Sequence, residues 1–166
     1  DRAISDGVDT VITCDNGIAA KEEIAYGKKL GLTVVVTDHH EVPFTEVEGE
    51  KQYQLPPADA VIDPKRVDCP YPFDGLCGAG VAYKLVEALT EAMGEDSTDL
   101  DDLMENVAIA TIGDVMDLVD ENRIFVRQGL EMLKRTKNLG LRALMECTNI
   151  PKDGINPYHI GFILGP

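Results

Sequence analysis

Hydrophobic and polar positions follow two rhythms along this chain, and the change comes near residue 76. Before it, short runs of apolar and β-branched residues recur at Val8–Cys14, Leu32–Thr37 and Ala58–Ile62, and each run stops at an aspartate: Asp15, Asp38 and Asp63. Uninterrupted runs of this kind suit strands covered on both faces of a parallel sheet. Between the first two, Ile18–Leu30 has helical spacing. Ile24 and Leu30 fall on one side, Lys21, Glu22, Lys28 and Lys29 on another, and Gly31 closes the segment as a C′ residue. Strand, helix and strand within about thirty residues make a βαβ unit with parallel strands. Residues 41–57 read as a polar, proline-containing loop with a short strand near Tyr53.

A proline-rich, irregular stretch from Pro64 to Leu76 separates this part from a helical one. Helices are expected from Cys77 to about Met93, from Asp99 to Ile112, from Asn122 to Arg135 and from Leu139 to Cys147, with a final turn from Asn156. The expected fold is α/β: a parallel sheet of βαβ units with flanking helices over 1–76, then a mainly helical C-terminal part over 77–166. Asp1–Asp6 followed by Gly7 reads as a last helical turn with its glycine cap, so the chain is expected to be an internal piece of a longer one.

Composition changes this picture little, and charge changes it more. Hydrophobic content of 44% and charged content of 27% in 166 residues are those of an ordinary globular domain. No apolar run approaches the roughly 20 residues that cross a bilayer, and the expected location is the cytoplasm, without a membrane role. The four cysteines, Cys14, Cys69, Cys77 and Cys147, form no paired zinc pattern and read as reduced thiols. Lys and Arg total 15 against 30 for Asp and Glu, a net charge of −15. Such a surface repels polyanions at long range, so it is no nucleic-acid face by itself, although bound metal ions can supply positive charge locally.

Asp38-His39-His40 holds two of the three histidines. Polar groups at the carboxyl ends of parallel strands face a crevice, and carboxylate with imidazole suits Mn, Fe, Zn and, through oxygen, Mg. One histidine can ligate metal while the other holds a phosphate or a supporting carboxylate. Asp15, before Asn16-Gly17, is either a turn device or a partner to that cluster. Asp114 follows the apolar run Val107–Gly113, which reads as a buried helix. An ionised carboxylate there needs a cation, strong donors or a proton, unless it only caps the helix end. Gly78-Ala79-Gly80 at a helix start either packs tightly or contacts phosphate. Arg123 and Arg127 share a helix face among several basic residues of the last third, and Arg123 can reach the crevice that Asp114 faces. His159 reads as structural.

These residues together resemble the DHH phosphoesterase superfamily. Thr37-Asp38-His39-His40 is similar to its signature, and Ile12–Gly17 to its preceding aspartate motif. Ile62–Arg66, Cys69–Phe73, Leu76–Leu85, Gly113–Val115 with Glu121–Arg123, and Ile160–Pro166 extend the likeness to its branch of single-stranded-DNA-specific exonucleases that degrade from the 5′ end. The resemblance implies Asp15, His39 and Asp114 as metal ligands, Asp38 and His40 as catalytic residues that orient the site and contact substrate, and Gly78, Gly80 and Arg123 as substrate contacts. It implies a two-metal site filled by Mn2+ or Mg2+ in the intact parent, acting on single-stranded DNA in repair and recombination. Partner proteins such as a single-strand-binding protein or a helicase have no motif in this chain.

The superfamily's first motif, an Asp-x-Asp strand end, and its C-terminal substrate-binding domain have no counterpart here. The isolated segment is therefore expected to be inactive, with an exposed sheet edge. Two other readings stay open: a DHH phosphoesterase acting on oligonucleotides, cyclic dinucleotides or polyphosphate, and a non-catalytic domain that binds nucleic acid or protein.

Overall fold

The computed structural model describes residues 1–165, with all their side chains except those of Thr98, Asp99 and Lys152. Pro166, the last residue of the quoted C-terminal motif, lies outside the described residues. The chain divides into two units, Asp1–Asp74 and Gly75–Pro166.

The first unit is the α/β part. Helix α1 (Arg2–Ser5) ends where Gly7 takes φ 77°. There the amide of Gly7 returns to Ile4 and that of Val8 to Ala3, the wrap that glycine makes cheap after a helix. Strands β1 (Thr10–Cys14), β2 (Thr33–Thr37) and β5 (Ala60–Ile62) form a parallel sheet in the order β1-β2-β5. Helix α2 (Lys21–Lys29) links the first two. It begins at Lys21, later than the spacing predicts, and in the turn before it the Ile18 amide binds the Asp38 carboxylate, 2.9 Å away. Ile24, Leu32, Val34 and Val36 form the core, joined by Val11, Ala20, Ala58 and Val61. Burying side chains of this size contributes about 1.5–3 kcal/mol each. The single strand expected near Tyr53 is one arm of an antiparallel hairpin, β3 (Phe44–Val47) with β4 (Glu50–Tyr53), exposed along both arms.

The second unit is helical. Its helices are α3 (Gly78–Met93), α4 (Met104–Gly113), α5 (Asp120–Leu133), α6 (Leu139–Cys147) and α7 (Pro157–His159). The segment expected to start a helix at Asp99 is a 3₁₀ helix over Thr98–Leu103 before α4 begins, and a π-helical turn, Ile160–Leu164, follows α7. Leu133, Met145, Ile150, Ile155 and Ile160 make its core with Ile109, Ile112, Leu130, Leu141 and Leu164. Helices α4 and α5 approach so closely at Gly129 that a Cβ there would lie 2.3 Å from the Ala108 Cβ and 2.6 Å from the Met104 carbonyl oxygen. Among the described residues no helix is long and apolar enough to cross a membrane.

Candidate metal centre

Register builds the site. Cys14 pairs with Thr37, and Thr37 with Ile62, so the next residue on each strand, Asp15, Asp38 and Asp63, stands in one row at the carboxyl edge of the sheet. The ladder runs one step further through the Asp15 amide to Thr37 O at 3.1 Å and the Asp38 amide to Ile62 O at 3.0 Å. Asp15 then leaves the strand at φ 62°, a left-handed conformation that costs an L-residue about 1–2 kcal/mol and that aspartate tolerates better than most. Two bonds fix the turn: the Thr13 hydroxyl to Asn16 O at 2.6 Å, and the Asn16 side-chain amide to Cys14 O at 3.2 Å. Gly17, at φ 114°, packs its Cα where a Cβ would meet the Thr13 hydroxyl at 2.8 Å.

Asp38 is the buried centre of the cluster, 1% exposed. Its Oδ2 accepts the Ile18 amide, and its Oδ1 accepts the His39 amide at 2.8 Å, the His40 amide at 3.3 Å and His40 Nδ1 at 2.6 Å. Burial pushes this carboxyl up, but the Ile18 amide, the His40 ring and the two histidine amides outweigh it and hold it below the usual value. The His40 ring is raised above its usual value, chiefly by its hydrogen bond to Asp38. His39 turns the other way, with Nε2 3.0 Å from Asp15 Oδ1, and the two rings stand 4.5 Å apart.

Asp15, His39 and His40 each offer a ligand atom within 4.8 Å of the others. One carboxylate oxygen and two imidazole nitrogens form a donor set that fits Mn2+ and related divalent ions. His40, expected to serve catalysis, thus also stands where a metal ligand can. Asp63, which the sequence marks as the acid ending a third apolar run, was not among the expected site residues. It is 2% exposed. Burial pushes its carboxyl above the ordinary range, the Lys65 amide opposes this, and the Asp38 charge adds to it.

The other candidates belong to the second unit. Asp114 is the C-cap of α4 and is exposed, not enclosed in an apolar helix as its surroundings in sequence suggested. The apolar run ends at Gly113, and Val115 turns the chain outward at φ 56°. Gly78 and Gly80 lie buried in the first turn of α3, where Cys77 caps the helix and its Sγ takes the Gly80 amide at 3.4 Å. That amide is occupied by the cap. Arg123 is exposed on α5.

A parallel sheet whose carboxyl edge gathers aspartates around adjacent histidines defines a class, and comparison with known proteins agrees. The family model described as the DHH family, N-terminal domain, matches residues 1–111, and the chain belongs to that family. Within it, the chain is similar to the single-stranded-DNA-specific exonuclease RecJ of Bacillus subtilis, 42% identical over 96% of this chain and 18% of the relative. The RecJ of Haemophilus influenzae is 37% identical over 100% of this chain and 29% of its own length. Among solved structures, exonuclease RecJ bound to manganese superposes with a TM-score of 0.77 at 27% identity, over 99% of this chain and 39% of that one. RecJ from Thermus thermophilus in complex with Mn2+ gives 0.75 at 28%, over 99% and 23%. The chain therefore spans less than a third of the length of these curated relatives.

Proposed function

We propose that this chain is part of a metal-dependent exonuclease that hydrolyses single-stranded DNA from the 5′ end. The observation that carries the reading is the convergence of Asp15, His39 and His40 ligand atoms within 4.8 Å on the carboxyl edge of the sheet. The manganese in the two similar structures supports Mn2+ as the ion, with Mg2+ as its alternative.

On this reading Asp15 Oδ1 and His39 Nε2, which face each other, would hold a divalent ion. Such an ion would supply Lewis-acid charge toward a phosphodiester and a bound water. Asp38 fixes the geometry: its two oxygens, held by the Ile18 and His39 amides, leave the His40 ring one orientation. With Nδ1 engaged by Asp38, His40 presents Nε2 to a phosphate oxygen while it carries a proton and to the ion only once that proton is lost. The raised pKa of His40 keeps that nitrogen a donor further up the pH scale. The resemblance adds Asp114 as a further ligand and Gly78, Gly80 and Arg123 as substrate contacts.

The test uses the full-length protein with Mn2+ and single strands labelled at either end. Release of labelled nucleotide from the 5′ end first, lost by at least about 100-fold in His39→Ala, is the expected result. Preference for a dinucleotide over the long strand, or activity that survives His39→Ala, overturns it.

A further inference from the structure

Two adjoining strand ends make the same turn. Thr37 pairs with Ile62 across β2 and β5, so Asp38 and Asp63 are the next residues on neighbouring strands. Two residues further on, the His40 amide returns to Asp38 Oδ1 at 3.3 Å, and the Lys65 amide to Asp63 Oδ1 at 2.9 Å. Both aspartates are buried, so each turn is anchored in the sheet rather than in solvent. Lys65 thus stands to β5 as His40 stands to β2. The two turns also meet through their side chains. Lys65 Nζ lies 3.1 Å from Oε1 of Glu41, the residue that follows His40.

Other cations near this edge are more firmly committed. Lys28 Nζ sits 2.6 Å from both oxygens of Asp59, a carboxylate that also takes the Val34 amide. Arg66 grips Asp68 through Nε at 2.9 Å and Nη2 at 2.7 Å, while its Nη1 donates to Val61 O. Lys65 differs, because its side chain is only 26% exposed whereas that of its partner Glu41 is 86% exposed. An ion pair so open to water is screened and weak. The ammonium can therefore exchange Glu41 for another anion while the backbone turn stays in place.

The electrostatics of the edge give that exchange a purpose. A phosphodiester brought here meets Asp15, Asp38, Asp63 and Glu41 on a chain of net charge −15. Ions offset the carboxylates they bind, but Glu41 lies outside the Asp15–His39–His40 cluster. We propose that Lys65 is a substrate-binding residue, its ammonium leaving Glu41 to bind a non-bridging phosphate oxygen of the strand beside His40. The inference rests on the exonuclease reading above. Lysine suits this task as a compact charge with three donors on a flexible stem. Glu41 is then the competitor that holds the ammonium until a phosphate takes its place.

The test is cleavage of a long single strand by the full-length protein with Mn2+, with kcat and KM measured separately. Ionic strength is held near 0.15 M, where charges farther than about 8 Å are screened. Lys65→Gln is expected to raise KM by about 10-fold and to leave kcat within about 3-fold, since an interaction made equally with bound substrate and transition state moves KM alone. Lys65→Arg keeps the charge and is expected to stay within a few-fold of wild type. Glu41→Gln removes the competitor and is expected to lower KM.

The double variant separates phosphate binding from mere neutralisation of Glu41. In the Glu41→Gln background there is no ion pair to lose, so Lys65→Gln is expected to raise KM there by about 10-fold as well. An unchanged KM in that background overturns the proposal, and so does a loss in Lys65→Arg as large as in Lys65→Gln. A fall in kcat at unchanged KM overturns it too. Wild-type protein that does not cleave single strands overturns the exonuclease reading and this proposal together. Normal cleavage with a KM that Lys65→Gln does not move overturns this proposal alone.

Discussion

In the helical unit, buried polar side chains are turned toward the backbone or a neighbouring hydroxyl. Thr111 donates to Val107 O at 2.7 Å, Asn122 donates to Gly75 O at 2.7 Å and Asp117 O at 3.0 Å, and Glu105 accepts from the Thr136 hydroxyl at 2.8 Å. At the sheet edge of the other unit they are turned toward titratable groups instead: Asp38 to His40, His39 to Asp15. Burial alone therefore does not separate structural from functional polar groups in this chain. What separates them is whether the partner can change its protonation or be replaced by an ion. Thr111 and Asn122 end on carbonyl oxygens that can do neither and Glu105 on a hydroxyl, whereas the Asp38–His40 and His39–Asp15 contacts join two groups that can do both.

The sharpest way to break that contrast is Asp38→Asn. Asparagine has one acceptor oxygen, so it cannot take both the Ile18 amide and the His40 ring, and one buried donor is left unpaired. Mn2+-dependent cleavage by the full-length protein is expected to fall by about 100-fold, with about 1–3 kcal/mol lost in stability. Unchanged cleavage at reduced stability would make the edge no different in kind from the helical contacts.

Gly129→Ala probes the opposite kind of effect. Its methyl group would stand 2.3 Å from the Ala108 Cβ, so α4 and α5 must part. Overpacking of this sort costs about 1–3 kcal/mol and outweighs the helix propensity alanine brings. The urea midpoint should fall accordingly. A midpoint at or above wild type would show that the two helices yield without cost.

Much of this was legible in the sequence, for reasons that also explain the rest. Val34–Val36 and Val11–Cys14 could be read as strands because their apolar character is continuous, and a parallel register then forces their terminal acids into one row. The β3–β4 hairpin could not, since Phe44–Val47 and Glu50–Tyr53 are exposed on both faces and impose no alternation. Asp63 could be read as the acid that ends a third strand, but only the sheet order shows which strand end it stands beside. In Asp15-Asn16-Gly17, asparagine with glycine looks like the left-handed pair, yet Asp15 at φ 62° and Gly17 at φ 114° take the positive angles. Asp114 misled most. Hydropathy counts neighbours along the chain, and a helix that ends at Gly113 exposes the next residue whatever precedes it.

That helix end gives a smaller prediction, with the sign reversed. Val115 sits at φ 56°, the left-handed C′ position, with its amide on Ile112 O and the Met116 amide on Thr111 O. A β-branched residue there is strained, and glycine is the residue the position favours. Val115→Gly should stabilise the chain by about 1 kcal/mol, read from thermal melting. If cleavage falls as stability rises, the strain serves to hold Asp114, and the helical unit too carries a functional cost.

The smallest effect is a pH dependence confined to the edge. His40 is raised above its ordinary 6.5, first by its hydrogen bond with Asp38. Its contribution to stability is therefore complete below 6.5 and disappears as pH rises through the raised value. Asp38, lowered from 3.8, contributes above that value and loses its contribution as pH falls through the depressed one. Between these limits the pair is fully formed. Because the His40 side chain is 59% exposed, solvent screening keeps the alkaline loss under about 1 kcal/mol. Urea midpoints between about pH 6 and about pH 9 should show a shallow decline in wild type that His40→Gln removes. A decline that survives the substitution would assign the titration to another group and leave the Asp38–His40 pair with orientation as its role.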